Sequence, residues 1–170
     1  NIKSMIEAAS TLTSEKAVAL FEKFGIYTKA ELESREEIIY ETYAKTINIE
    51  ALTMIDMAGK QIIPAVVKYT KTLADTANAI KAAGGDASVQ TELLADVSTK
   101  LAAMQKELNK LVADEKEASA MEDVKAQAFF YKDTIKATMA ELRKPADELE
   151  MIVDKDVWPI PTYGELMFEV

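Results

Sequence analysis

Four polar side chains crowd one short stretch of this sequence: Lys45, Asn48, Glu50 and Asp56. An amide, an ammonium and two carboxylates so close together suit recognition, by charge and by hydrogen bonds in both directions. They suit catalysis poorly. The commonest general base is histidine, and the chain has none among its 170 residues. That count removes the Ser-His-Asp and Cys-His arrangements, and also the Glu-x-x-His pairs that build di-metal sites in helical bundles. Cysteine is absent too, so there is no disulfide framework and no thiolate zinc site. Two other features have chemical character. Gly84-Gly85-Asp86 could cradle a phosphate, but two glycines without the P-loop lysine fit a plain helix reversal better. The tail gathers Trp158, Tyr163 and Phe168, aromatic types that anchor interfaces.

The elements that must position these groups are helical. Ser14 caps a short helix from Glu15 to Phe24, whose Ala17, Leu20, Phe21 and Phe24 share a face, with Gly25 as its left-handed stop. Thr28 and Glu31 form a capping box. From there a helical pattern runs to about Ala83, its later stripe reading Leu52, Ile55, Ile62, Val66, Tyr69, Leu73, Ala77 and Ile80. Pro64 has no N–H and its ring clashes with the Lys60 carbonyl, which predicts a kink between Gly59 and Pro64. Ser88 is the expected cap of a helix to about Glu115, with Leu94, Val97, Leu101, Met104, Leu108 and Leu111 stepping by three and four. The run Asp114 to Glu117 reads as a solvated face. A second capping box, Ser119 with Glu122, opens the last long helix, which Pro145 interrupts or restarts. Residues 1–13 are either a helix start or the edge of a domain lying upstream.

These signals predict an all-α fold: an antiparallel bundle or coiled coil of three long helices, a short N-terminal helix, and an extended Trp/Pro tail. Residues 1–170 are taken as one helical domain, with 155–170 as a hook opened by a third capping box, Thr162 with Glu165. The hook either folds onto its own bundle or docks into another domain or subunit. A net charge of −9 disfavours nucleic acid and anionic membranes as partners. No apolar run approaches the roughly 20 residues that span a bilayer. A cytoplasmic location fits.

Three stretches together resemble the C-terminal region of type III glutamine synthetases. They are EKAVALFEKFGIYTKAELESREE (Glu15 to Glu37), YETYAKTINIEALTMIDMA (Tyr40 to Ala58) and ELRKPADELEMIVDKDVWPIPTYGELMFEV (Glu141 to Val170). The resemblance weakens between Gly84 and Gln127. The chain departs from it at Glu36, where family members often carry an aromatic residue, and at Pro145, where a helix former is usual. The resemblance implies a whole enzyme that joins ammonia to glutamate using ATP and divalent metal, in a ring-based homo-oligomer. It implies that the catalytic and metal-binding residues lie in an upstream region, so no catalytic, cofactor or metal residue is assigned to this chain. Its partners would be that upstream catalytic domain and neighbouring subunits.

Three functions compete. The first is a structural and assembly domain of such an enzyme, with Lys45, Asn48, Glu50, Trp158, Tyr163 and Phe168 as interface residues. The second is a regulatory binding module of the same enzyme, built on Asn48 and Glu50. The third is a free-standing acidic coiled-coil adaptor.

Overall fold

The computed structural model describes residues 2–168, apart from the side chain of Tyr163. Its regular elements are all helical: α1 (Met5–Ala9), α2 (Glu15–Lys23), α3 (Lys29–Met57), α4 (Ile63–Ala82), α5 (Ser88–Ser119), α6 (Val124–Phe130), α7 (Lys136–Glu150) and α8 (Tyr163–Phe168). Five-residue π-turns, Ala58–Ile62 and Tyr131–Ile135, join α3 to α4 and α6 to α7. The chain divides into two compact units, Asn1–Ala51 with Ala113–Ala137, and Leu52–Val112 with Thr138–Val170.

Helix ends follow the sequence signals where a good hydrogen-bond acceptor is in place. Thr28 and Glu31 form their box: the Thr28 amide donates to Glu31 Oε2 at 2.7 Å and the Glu31 amide to Thr28 Oγ1 at 3.4 Å. Ser14 caps α2. That helix ends in a Schellman pair, with Gly25 N–H on the Glu22 carbonyl and Ile26 N–H on the Phe21 carbonyl. Gly25 has φ 61°, the left-handed conformation that costs an L-residue its Cβ clearance. Gly84 (φ 81°) and Gly85 repeat the pattern on Lys81 and Ile80. A Cβ on Gly85 would lie 2.9 Å from Ile80 Cγ2, so both glycines have steric reasons to be there.

Two expected caps are replaced by neighbouring carboxylates. Ser88 is already helical, and both its amide and its hydroxyl donate to Asp86. Ser119 is the last residue of α5 and donates to Glu115, while Asp123 caps α6 through the Ala126 amide at 2.7 Å. An ionised carboxylate accepts more strongly than a hydroxyl, so it takes the orphan amides when both are in reach.

The irregularity expected between Gly59 and Pro64 is a π-turn in which the Ile63 amide reaches back five residues to the Ala58 carbonyl. The widened turn falls where the Pro64 ring would otherwise meet the carbonyl of Lys60. The second π-turn, with the Lys136 amide on the Tyr131 carbonyl, has no proline or glycine to announce it. Pro145 neither interrupts nor restarts a helix: α7 runs through it, and its ring is buried. Burial decides this, because Thr138, Leu142, Pro145 and Leu149 form one inward seam of the second unit, stepping by four and three.

In the first unit, Ile6 and Ala9 of α1 are buried against Tyr40 of α3 and Ala128 of α6. The ambiguous N-terminal stretch therefore contributes to a core. By contrast α2 buries none of its residues, and Leu20 and Phe24 of its apolar face are exposed. In the second unit the interior includes Val66, Val97, Met104, Leu142 and Leu149, none more than 1% exposed. Leu52, expected to lead the α4 stripe, is exposed, and Ala51 is the buried position. On α5, Val97, Met104, Leu108 and Leu111 are buried as their spacing predicts, with Leu94 and Leu101 half-buried. No described helix is long and apolar enough to cross a membrane.

Candidate interaction surface

The polar group on α3 is quieter than its composition promises. Lys45 Nζ donates to Glu41 Oε2 at 2.6 Å, one turn back on the same helix. Asp56 pairs with Lys60 in the same way. Such i,i+4 pairs on an exposed face contribute only a few tenths of a kcal/mol. Glu50 is exposed, and Asn48 is half-buried with its Oδ1 shut off from solvent and without a donor. Lys45, Asn48 and Glu50 belong to the first unit, whereas Asp56 and the tail belong to the second, so they are not read as one site.

A more developed polar site surrounds Glu36, which is 8% exposed. Thr13 Oγ1 donates to its Oε2 and Tyr40 Oη to its Oε1, each at 2.6 Å. Lys125 Nζ lies 3.4 Å from Oε1 and 5.5 Å from the centre of the Tyr40 ring. Burial pushes the Glu36 carboxyl up, but the two hydroxyls and then the Lys125 charge outweigh it and hold it below its ordinary value. Tyr40 is pushed well up, first by burial and then by the carboxylate it faces. This is a structural fastening of α3, α6 and the Thr13 loop. Among the described residues no group of three or more acidic, histidine or cysteine side chains could hold a metal ion.

In the tail, Trp158 and Phe168 differ in burial. Trp158 is 92% buried, taking the complement of its 8% exposure, at the end of a turn in which its amide donates to the Asp154 carbonyl at 3.0 Å. Its Nε1 is enclosed without an acceptor. Trp158, Ile62, Ile160 and Pro161 wall a cavity of about 160 Å³, with Asp147 and Glu150 at its polar side. Burial, then the neighbouring Asp147, pushes the Glu150 carboxyl up. Phe168 is 79% exposed, next to the exposed Met167 and Leu166. Tyr163 begins α8, and its side chain lies outside the described residues.

The exposed tip is nonetheless firmly built. Thr162 and Glu165 form the expected capping box, with the Thr162 amide on Glu165 Oε2 at 2.8 Å. Lys155 Nζ sits 2.8 Å from Glu165 Oε1. The Lys155 hydrogen bond first, then the two from Thr162, lower the Glu165 carboxyl to about 2. The Lys155 partner was invisible in the sequence, since nine residues, two of them prolines, separate the pair.

With this arrangement in view, residues 1–81 match the family model of the glutamine synthetase C-terminal domain. That match covers just under half of the chain. A glutamine synthetase of Butyrivibrio fibrisolvens is 36% identical over 172 residues, covering 100% of this chain and 25% of the relative. A type-3 glutamine synthetase of Dictyostelium discoideum is 32% identical over 99% of the chain and 24% of its own length. A glutamine synthetase of Bacteroides fragilis is 28% identical over the same shares. The chain thus spans about a quarter of the length of the curated relatives it matches. The family model stops near the Gly84-Gly85 reversal, while the pairwise similarity continues through the tail.

Proposed function

We propose that this chain is the non-catalytic structural and assembly domain of a glutamine synthetase, a cytoplasmic enzyme that makes glutamine from glutamate and ammonia with ATP. The observation that carries the reading is the match of the whole chain to about a quarter of each of three glutamine synthetases. No step of the ligation is assigned to this chain's residues. ATP and metal would be held by other parts of the parent. The domain's partners would be that catalytic region and neighbouring subunits. The preformed and uncovered tip of the tail supports an assembly role, because apolar side chains held rigidly in water lose little entropy on docking.

The test is a deletion of residues 84–170 from the parent enzyme, with the assembly weighed by light scattering. A change in oligomer size is the expected result. An assembly of unchanged size would overturn the reading.

A further inference from the structure

The second unit carries both halves of a contact that it does not make with itself. One half is the tip Leu166-Met167-Phe168, with exposures of 67%, 72% and 79%. The other is the cavity of about 160 Å³ beside Trp158, walled by Ile62, Ile160 and Pro161, with Asp147 and Glu150 on its polar side. A cavity of about 150 Å³ has room for a benzene ring, and a benzene ring is what Phe168 offers to the apolar walls of such a site. Leu166 borders the cavity and also belongs to the tip, so knob and hole are neighbours on one surface. The knob is preformed: a capping box and the Lys155–Glu165 ion pair hold the helical turn that displays it.

A surface that holds a knob beside a hole of matching size is self-complementary, which is the condition for a twofold contact in which each copy gives what it receives. We propose that two copies of this chain exchange tips, Phe168 of each entering the cavity beside Trp158 of the other. This rests on the assembly reading and names the partner and the residues that meet. The partner is a second copy rather than a segment of unrelated chemistry, because both complementary pieces are present on this one unit. Charge works against the encounter: each copy carries −9, so the association strengthens with ionic strength, opposite to a contact driven by ion pairs.

The test weighs the 170-residue chain by sedimentation equilibrium across concentration and salt, beside Phe168→Ser and Ala146→Met. The first removes the knob from an exposed position. The second adds side-chain volume at Ala146, which lines the cavity, and leaves the knob intact. The wild type dimerises, more tightly in about 0.3 M than in about 0.03 M salt, as the screening length falls. Each variant alone weakens the dimer roughly 100-fold, since both reciprocal contacts are lost. An equimolar mixture of the two regains a dimer, because one knob still meets one open hole. A monomeric wild type, variants that dimerise normally, or a mixture without recovery would each overturn the proposal. If the deletion of residues 84–170 changes the parent's size but these substitutions do not, the assembly reading stands and the exchange of tips falls alone.

Discussion

Replacing Glu36 with alanine tests whether a buried carboxylate fastens the first unit. The substitution removes the acceptor of the Thr13 and Tyr40 hydroxyls, both at 2.6 Å, and leaves Tyr40, 3% exposed, with a stranded donor. An unpaired buried donor costs about 1–3 kcal/mol, and a hydrogen bond to a charged group contributes about 1.5–3 kcal/mol. The Lys125 side chain is 55% exposed, so its charge adds no more than an ordinary surface pair, about 0–1 kcal/mol. These overlap, and a net loss of about 3 kcal/mol is expected. For a domain of this size that corresponds to roughly 6–12 °C in melting temperature. Glu36→Gln keeps one carbonyl acceptor and loses about half as much. Because the folded carboxyl is held below its ordinary value, its contribution is complete above about pH 4.3 and is lost as pH falls through the folded value. The alanine variant lacks that acidic slope. Thermal melts by circular dichroism at pH 7 and pH 3.5, with Tyr40→Phe to close a double-mutant cycle, measure all of this. A Glu36→Ala melt within 2 °C of the parent, or additive effects of the two substitutions, would refute the reasoning.

Three further outcomes are expected. Gly84→Ala forces an L-residue to φ 81° and lowers stability by about 1–2 kcal/mol, read from the urea midpoint; a change under about 0.5 kcal/mol would contradict the left-handed cap. Trp158→Ala costs about 3–5 kcal/mol, whereas Trp158→Phe costs under about 1.5 kcal/mol because it also removes an indole N–H that has no acceptor; equal losses in the two would show that the N–H is satisfied. Glu165 titrates near 2 by carbon-detected NMR, so protection of the α8 amides is held above ordinary carboxylate pKa values and declines as pH falls toward 2; Lys155→Met moves that titration up, and an unmoved titration would exclude the ion pair.

What was legible in the sequence follows the range of each interaction. Capping boxes at Thr28 and Thr162 act over three residues, and the helix stops at Gly25 and Gly84 act over five, so local sequence fixes them. The seam of α5 was readable because a repeated three-four step can face only one way. Glu36 was readable only as a departure from its relatives. Its reason lies 23 residues away in Thr13 and 89 away in Lys125, a distance no periodicity spans. Pro145 misled for a related cause: local chemistry opposes helix there, and burial on the seam overrides it. In the tail Trp158 is buried and Phe168 exposed, a difference that no period in the sequence announces. Inward and outward positions in an extended, proline-bearing segment have no period to distinguish them.

Each π-turn is, in effect, a helix holding one residue more than its pitch requires. Elsewhere in a helix, deleting a residue swings everything beyond it by about 100° and tears the buried seam from its partners. Within Ala58–Ile62 or Tyr131–Ile135 the spare residue can be surrendered and the helix closes to ordinary pitch with its far face kept. The two sites differ in one respect. Closing the first brings the Pro64 ring back against a carbonyl, so a shortened chain there needs Pro64 replaced as well. The second carries no such condition, and length variation among homologous chains should collect there first.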